Sequence, residues 1–389
     1  MAHTLTDPRE FDPNFFDGIL TLRNLFAQPN RLRVYPRQIV VLEGRGRNRL
    51  SFVHGMPDVT TLTSAMTIQH KRMRRGILER NDVPVPKGAA FSMARGLKQA
   101  KAFAQRLGFP VVIKPSRGDA GFYNFTDLGN QRELDWAIAK MKVPTYERPG
   151  VFHSGYTPME LGAPRRESGR TIVPGGYRIL VEKQVAGQLV RFLVYEGAVI
   201  SAVRCEGSPS DGTLRSSSDV LAQVHPLILK TVKRAFHSFP HTGIAAIDIV
   251  TSNVSDPNNN GDAQVVDYWE RPFLWVQARD SLDLALDLSE RITSGYMSSH
   301  GLNLDAVPSE ARVHMRAHSL PSARLSQSSL SEIATDAGVK YSVSGYSDLE
   351  GTIEGTLEGG SLELAALIDA ISNGAYHSIP AGLIEVERV

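Results

Sequence analysis

The stretch FPVVIKPSRGDAGFYNF, Phe109 to Phe125, places Lys114 at the end of an apolar run and follows it with a proline and two glycines. The apolar run predicts a buried β-strand that delivers a charge to its tip. Glycines let backbone N–H groups wrap anionic oxygens, and a strand-borne lysine adds a fixed positive charge. We therefore expect the loop around Gly118 and Gly121 to cover a polyphosphate. The spacing is not the Walker pattern, and a glycine-rich surface turn would look the same.

The composition sets bounds on the class of protein. The chain has 389 residues, of which 42% are apolar and 22% charged, and it carries one cysteine, Cys205. Its length predicts several modules rather than one core. No run approaches the roughly 18 apolar residues of a membrane span, and the acidic N-terminus lacks a secretory pattern. The lone cysteine excludes an internal disulfide framework. We expect a soluble, cytoplasmic protein without a membrane partner.

The net positive charge of the chain is small. The formal net charge is +2, and the densest basic run, HKRMRRGILER, extends from His70 to Arg80. A nucleic-acid patch would also need interleaved aromatic residues, so we expect no nucleic-acid partner. The run is better explained as a solvated helix with one functional lysine, Lys71, which could reach the same phosphates as Lys114.

A set of β-type runs follows the lysine-bearing strand. These runs are YRILVEKQV, QLVRFLVYEG, AVISAVRC, GIAAIDIVTS and AQVVDYWERP. The last two flank an Asn/Gly/Pro turn that predicts a hairpin, and therefore an antiparallel sheet. Glu182 lies at the expected strand end within the first run, where a carboxylate can accept a hydrogen bond from an adenine amino group. The backbone from Lys183 to Val185 would then pair with the edge of the ring.

Charged residues recur on neighbouring runs. Arg191 and Arg204 lie on successive strands, and Asp248, Asp267 and Glu270 lie on two adjacent ones. Carboxylates from neighbouring strands can hold Mg²⁺, which prefers oxygen ligands and shares them with nucleotide phosphates. Each residue could instead belong to a solvated face or a surface ion pair. Asp248 fits that alternative least, because apolar residues surround it and an unpaired buried charge is costly.

Taken in order, these stretches resemble the ATP-grasp superfamily, and are most similar to the ligase part of cyanophycin synthetases and bifunctional glutathione synthetases. The resemblance covers residues 60 to 290 approximately and includes TSAMTIQHKRMRRGILERNDVPVPKG, GFPVVIKPSRGDAG, YRILVEKQVAGQLVRFLVYEGAVISAVRC, DGTLRSSSDVLAQVHP, GIAAIDIV and VVDYWERP. It implies two α+β subdomains that grip ATP. The implied chemistry converts a carboxylate to an acyl phosphate, which an amine attacks, releasing ADP and phosphate.

The resemblance also implies roles for individual residues. The expected nucleotide-binding residues are Lys71 and Lys114 on the phosphates, Gly118 and Gly121 in the cover loop, Glu182 at adenine, and Lys183 and Val185 at the hinge. Arg191 and Arg204 would stabilise charge on the acyl phosphate and the transferring phosphoryl group. Asp248 and Asp267 would be metal ligands for Mg²⁺, with Mn²⁺ as an alternative. ATP is the implied cosubstrate.

The sequence departs from the family pattern at two site positions. Where the family has a metal-binding asparagine the chain has Trp269, so either Glu270 substitutes or a second Mg²⁺ is held differently. Where the family often keeps an acid for the ribose, the chain has Leu189. The Mur-ligase-like half of cyanophycin synthetases is absent, which argues against polymerisation of that product.

The predicted fold class is α/β with α+β subdomains: an ATP-grasp fold with a short leading module and a C-terminal ferredoxin-like domain. The expected boundaries are 1–65 for the leading module, 66–145 and 146–300 for the two ATP-grasp subdomains, and 311–389 for the last domain. This last segment resembles acylphosphatases, but its expected phosphate loop has no glycine and Ser347 stands in place of the catalytic asparagine. Only Arg324 could support a hydrolase, so we expect a non-catalytic domain that assists dimerisation or substrate closure.

The function that these features predict is an ATP- and Mg²⁺-dependent carboxylate-amine ligase, joining an amino acid or small peptide to an amine. Trp269 and Leu189 leave open a nucleotide-binding protein that has lost catalysis, and a phosphotransferase or carboxylase on the same scaffold is a further alternative. The sequence does not identify the acid or the amine. A homodimer is the default expectation for the oligomeric state.

Overall fold

The computed structural model describes residues 11–44, 49–117, 124–144, 147, 164–209, 213–257, 262–373 and 381–389. Its contacts divide the chain into two units. We call Thr60–Glu270 the central unit, and Met1–Val59 together with Arg271–Val389 the terminal unit. This division differs from the four consecutive segments expected from the sequence, because the leading strands pair with strands from the end of the chain.

The described residues form helices and strands in the following order. The helices are α1 (Phe16–Leu25), α2 (Leu62–Gln69), α3 (Lys71–Arg80), α4 (Leu97–Leu107), α5 (Gln131–Met141), α6 (Pro226–His237), α7 (Trp275–Ala278), α8 (Leu282–Ser299), α9 (Ala323–Asp336) and α10 (Ser361–Asn373). The strands are β1 (Leu32–Tyr35), β2 (Ile39–Glu43), β3 (Arg49–Val53), β4 (Met56–Pro57), β5 (Gly88–Ser92), β6 (Val111–Pro115), β7 (Phe125–Leu128), β8 (Arg165–Glu167), β9 (Arg170–Ile172), β10 (Arg178–Lys183), β11 (Gln188–Tyr195), β12 (Ala198–Glu206), β13 (Ser216–Asp219), β14 (Ile244–Thr251), β15 (Gln264–Trp269), β16 (Glu310–His318), β17 (Lys340–Ser347), β18 (Thr352–Gly360) and β19 (Leu383–Arg388).

The terminal unit is built on one antiparallel sheet, in the order β17-β18-β16-β19-β1-β2-β3-β4. Its C-terminal part runs β16-α9-β17-β18-α10-β19, which is the βαββαβ order of a ferredoxin-like sandwich. The leading strands continue the same sheet because β1 pairs with β19, Leu32 opposite Val386. Helix α1 packs against α10 and α8. The leading module is therefore an extension of the C-terminal sheet.

The first half of the central unit is a sheet with the order β5-β10-β6-β7 and two helices on one face. Val111 and Ile113 of β6 pack with residues of α4 and α5 in one core cluster. Successive side chains of a strand point to opposite faces, so Val112 and Lys114 lie on the other face. Every residue of β6 is buried nonetheless, which means that this second face is covered as well.

The second half of the central unit is a sheet with the order β13-β12-β11-β14-β15. Val190 and Phe192 of β11 and Ile247 of β14 pack against α6 in a second core cluster. The alternate residues Arg191 and Asp248 are cross-strand partners and lie on the opposite face. The mixed α/β class with antiparallel sheets is confirmed.

Local sequence signals fix the ends of several helices. Gly108 takes a φ of 75° and ends α4, a position at which glycine is common. The side chain of Asn130 accepts hydrogen bonds from the N–H groups of Arg132 and Glu133 and so begins α5. Across the described residues, none of the helices is long and apolar enough to cross a membrane.

A buried polar network links three parts of the terminal unit. Gln38 donates a hydrogen bond to Asp369 at 2.9 Å and lies 3.0 Å from Nδ1 of His54. Asn373 also donates to Asp369, at 3.1 Å. Burial raises the pKa of Asp369 to about 7, against the opposing effect of the two amide donors. Burial likewise lowers the pKa of His54 to about 3, so this imidazole stays neutral.

We expect Asp369 to make the terminal unit less stable as the pH rises. An unfolded aspartate has a pKa of about 4, so between about pH 4 and 7 the folded state binds more protons, and stability falls by up to about 4 kcal/mol across that window. Asp369→Asn keeps the acceptor oxygen and should flatten this slope. Urea unfolding at about pH 5 and about pH 8 measures the effect.

Asp336→Asn provides the matched control, because Asp336 is an exposed aspartate at the end of α9 in the same unit. It should leave the slope as in the unmodified chain. An Asp369→Asn variant with an unchanged slope would contradict the prediction.

Candidate active site

A cleft of about 250 Å³ lies between the two sheets of the central unit. Its walls come from the faces of β6, β10, β11 and β14 that do not carry the helix-packed cores. The lining residues are Pro86, Val112, Lys114, Thr126, Asp127, Glu182, Lys183, Gln184, Val185, Gly187, Leu189, Gly207, Ser208, Thr213, Asp248, Val250 and Val266. The cleft thus joins apolar walls to a small number of charged groups, as small-molecule sites commonly do.

Lys114 and Glu182 meet on the cleft wall. They lie on paired strands of one sheet, and each side chain is 7% exposed. The ammonium of Lys114 donates to the carbonyl of Val266 at 2.8 Å and lies 3.2 Å from one oxygen of Glu182. Arg75 lies 3.0 Å from the other oxygen. The lysine at the strand end is therefore buried together with its counter-ion.

Gly88 leaves the space that this carboxylate occupies. It is the cross-strand partner of Glu182, and a Cβ at Gly88 would lie 2.7 Å from Cγ of Glu182. Contacts that short do not occur, so a larger residue would push the carboxylate away from Arg75 and Lys114.

The basic helix α3 presents one face to the same region. Lys71, Arg74 and Leu78 are its buried residues and follow the i, i+3, i+7 spacing of one helical face. Arg74 donates to the carboxylate of Asp267 and to the carbonyl of Tyr268. The ammonium of Lys71 lies 5.8 Å from the centroid of the Trp269 ring. The interpretation of this run as a solvated helix is wrong for these residues, since 2% of Lys71 and 5% of Arg74 is exposed.

Arg191 and Asp248 form a buried bidentate ion pair. Nε and Nη2 of Arg191 each donate to one oxygen of Asp248, both at 2.7 Å. The pair joins β11 to β14 in register. Two parallel charge-assisted hydrogen bonds of this kind are geometrically specific. The pair fixes Asp248 at the cleft wall.

Arg204 does not join this group. It is exposed and is the register partner of Val190, whose side chain lies on the helix-packed face. Cross-strand partners point to the same face, so Arg204 and Arg191 lie on opposite faces of the sheet. The structure therefore does not bring the two expected catalytic arginines together. The nearby Cys205 is buried, and burial raises the pKa of its thiol to about 12, which favours the neutral thiol.

The predicted metal ligands are held by cationic and amide donors. Burial alone would raise the pKa of Asp267, but the charges of Arg74 and two nearby lysines lower it to about 2. Glu270 is buried and accepts a hydrogen bond from the amide of Gln69. Within the described ranges, no three His, Cys, Asp or Glu side chains form a group that could hold a metal ion. Arranged in this way, the donor set does not fit a resident divalent cation.

The hinge between the two sheets is fixed by backbone contacts. The ammonium of Lys183 donates to the carbonyls of Gly108 and Phe109, at 2.9 and 3.2 Å. Gly187 has a φ of 145°, and a Cβ there would lie 2.4 Å from the carbonyl oxygen of Thr251. Only glycine fits this conformation and this approach. The chain from Val185 to Gly187 therefore runs along the edge of the cleft in one conformation.

The expected cover-loop residues Gly118 and Gly121 lie outside the described residues. Two other residues of the site were not predicted from the sequence. Arg74 and Arg75 were missed, although their spacing from Lys71 places them on the same side of α3 and was the available signal.

No protein-family model and no curated protein sequence matches this chain. Solved structures that it resembles include a bifunctional glutathione synthetase from Pasteurella multocida, with 13% identity and a TM-score of 0.44 over 75% of this chain and 44% of that chain. The chain therefore spans less than half the length of that synthetase. Also similar is the D-alanine–D-alanine ligase from Bacillus anthracis, in complex with ATP, with 14% identity and a TM-score of 0.37 over 61% of this chain and 71% of that one.

A RimK domain ATP-grasp protein from Sphaerobacter thermophilus is 16% identical, with a TM-score of 0.37 over 59% of this chain and 68% of that chain. The name of this last protein includes the superfamily that the sequence stretches resemble.

We expect the loss of one partner of the Arg191–Asp248 ion pair to destabilise the protein more than the replacement of both partners by apolar residues. Arg191→Met leaves a buried carboxylate unpaired and should destabilise the central unit by about 3–5 kcal/mol. The double variant Arg191→Met/Asp248→Leu should recover a large part of that loss. Urea unfolding of the single and double variants gives the coupling energy.

Arg204→Met is the matched control for this series, since it removes an exposed arginine from the neighbouring strand. It should change stability by less than about 0.5 kcal/mol. Equal losses of unfolding free energy for Arg191→Met and Arg204→Met would show that the buried ion pair contributes no more to stability than an exposed arginine does.

Proposed function

We propose that this protein is an ATP-dependent carboxylate-amine ligase that forms an amide bond through an acyl phosphate. One observation carries the proposal: a single cleft gathers Lys114, Glu182 and the Lys183–Val185 segment from one sheet and Asp248 from the other. These are residues that the sequence pattern assigns to one nucleotide-dependent reaction. Their convergence is a geometric property that the sequence alone does not guarantee.

The cleft has the features that a purine nucleotide requires. Val112, Leu189, Val250 and Val266 line its walls and offer apolar contact to both faces of a flat ring. Glu182 presents carboxylate oxygens held by two cations, and such oxygens can still accept a hydrogen bond from an adenine amino group. Its volume of about 250 Å³ is close to the lower end of the range for ligand pockets.

The phosphates would lie toward the cations at the end of β6. Lys114 lines the cleft, and the buried Lys71 and Arg74 lie beyond it around Asp267. A polyphosphate placed there meets fixed positive charge in a setting from which water is largely excluded, so each contact is stronger than in water. The same charges would stabilise the phosphoryl group during transfer.

The reaction requires positioning rather than a protein nucleophile. A substrate carboxylate oxygen attacks the γ-phosphorus and ADP leaves; the amine nitrogen then attacks the acyl carbon, loses a proton, and phosphate leaves. Catalysis of such transfers is mostly positioning and charge stabilisation. Arg191, on the cleft face of β11, is the arginine placed to contribute, directly or by holding Asp248. Arg204 is placed on the wrong face for this role.

A nucleotide-binding protein without turnover is the second candidate. Leu189 lines the cleft at a position where the family pattern often has an acid, and Trp269 contributes an indole where that pattern has a metal-binding asparagine. Binding of ATP without ADP formation, unaffected by Asp248→Asn, would favour this candidate.

We expect ADP release only when an acid and an amine are both present. The assay mixes the protein with ATP, Mg²⁺ and pairs drawn from amino acids and small peptides, and reads ADP and product mass in the same wells. A product equal to the two substrates minus water would identify both substrates. A phosphorylated or bicarbonate-dependent product would instead indicate a phosphotransferase or carboxylase.

We expect Lys114→Met to weaken nucleotide binding by roughly 10- to 100-fold, because it removes a charge-assisted contact to phosphate. Equilibrium titration with a fluorescent ATP analogue measures this loss, and circular dichroism checks the fold. Lys101→Met removes a half-buried lysine that pairs with Asp135 on the outer helices, away from the cleft, and should leave binding unchanged. If both variants bind the ATP analogue as the unmodified protein does, the cleft is not the nucleotide-binding site.

A further inference from the structure

The carboxylates that a divalent cation would use are already engaged by arginines. Both oxygens of Asp248 accept hydrogen bonds from Arg191 at 2.7 Å. Asp267 is paired with Arg74 and is 1% exposed, and the arginine is 7% exposed. A metal ion can reach either carboxylate only by displacing a buried guanidinium or by lying directly beside its charge. Both alternatives are costly where the dielectric constant is low.

Asp267 has N–H neighbours besides Arg74, which donates to its Oδ1. Its Oδ1 accepts a hydrogen bond from the backbone N–H of Tyr268 at 3.0 Å, and the amide nitrogen of Asn124 lies 3.4 Å from Oδ2. Mg²⁺ requires near-ideal octahedral geometry with oxygen ligands, and amide and guanidinium donors cannot take that place. The coordination shell around this carboxylate is thus built from N–H donors.

The next two residues reinforce this arrangement. The indole of Trp269 cannot ligate a metal, and the ammonium of Lys71 lies 5.8 Å from its ring centroid, within the range of a cation–π contact. The oxygen Oε1 of Glu270 accepts a hydrogen bond from Gln69. Where the sequence pattern would place a second set of metal ligands, the chain therefore places an aromatic ring next to a cation.

The charges at this end of the cleft favour an anion. Lys71, Arg74 and Lys114 line one small cavity together with Asp267 and Glu182, and Arg75 joins them. A divalent cation added here would be repelled by four cationic side chains, whereas a polyphosphate would be attracted by them. Lysine and arginine side chains of this chain supply the positive charge that metal ions often supply at phosphates.

We propose that Arg74 is the resident cation of Asp267, and that the cleft binds the polyphosphate of a nucleotide without a divalent cation held by its own carboxylates. The identity of the ligand as a nucleotide rests on the proposed function. Arg74 acts here as a positioning residue: it neutralises Asp267 and holds it away from the incoming phosphates.

The test compares nucleotide binding with and without metal. A fluorescent ATP analogue is titrated onto the purified full chain, once in excess Mg²⁺ and once in excess EDTA. The unmodified protein should bind in both conditions, with affinities that differ by less than about threefold. In Arg74→Gln the carboxylate of Asp267 loses its direct ion-pair partner, so binding in EDTA should fall at least about tenfold and be restored in part by Mg²⁺. Arg74→Gln/Asp267→Asn should lose this metal dependence.

Arg72→Gln is the matched control, because Arg72 is an exposed arginine on the same helix. It should bind as the unmodified protein does in both conditions. Binding by the unmodified protein in Mg²⁺ but not in EDTA would overturn this inference and leave the proposed function intact. An absence of binding in both conditions would overturn the proposed function, and this inference with it.

A second measurement needs no destabilised variant. Manganese added to the nucleotide-free protein can be followed by its electron paramagnetic resonance signal, which is lost when the ion is bound. We expect the signal of free Mn²⁺ to persist over stoichiometric amounts of the unmodified protein. A tight Mn²⁺ site in that protein that disappears in Asp267→Asn would overturn the proposal.

Discussion

A strand that is covered on both faces can carry a charge only if an opposite charge meets it there. This constraint governs the central unit. Strand β6 packs Val111 and Ile113 into the helix-backed core, and the alternation of side chains then turns Lys114 toward the second sheet. Because burial of an unpaired ammonium costs several kcal/mol, Glu182 must accompany it on the neighbouring strand. The position of the cleft follows from where these charges have to be paired.

The same rule applies on the second sheet and explains the shape of the site. Arg191 and Asp248 meet across β11 and β14, and Arg74 meets Asp267 from a helix. Each pair ties one element to another, so the charges that would serve chemistry also hold the walls in register. A buried pair of this kind adds little net stability compared with apolar residues, but it specifies which strands and helices come together. In this site, electrostatic preorganisation and fold specificity have the same physical origin.

The sequence was sufficient for the parts of the fold that local pattern determines. The lysine-bearing strand, the hinge strand β10, the β14–β15 pair and the βαββαβ order of the C-terminal segment all follow from alternation, turn residues and helical spacing. It was not sufficient for the leading strands, because β1 finds its partner at the far end of the chain. It also did not determine the face on which Arg204 lies, since that face depends on a register that only the neighbouring strands set. Ion-pair partners such as Arg74 and Asp267 are likewise a property of tertiary packing.

The shared sheet of the terminal unit has a consequence for the order in which the molecule is made. Strand β1 pairs with β19, which follows it in the chain after the whole of the central unit. Domains generally fold as they leave the ribosome, beginning with the N-terminal one, and pairings between distant segments form slowly. The central unit is complete well before β19 exists, while the early strands wait with an unpaired edge. In this chain a strand that is made before the central unit therefore reaches its final place after that unit has folded.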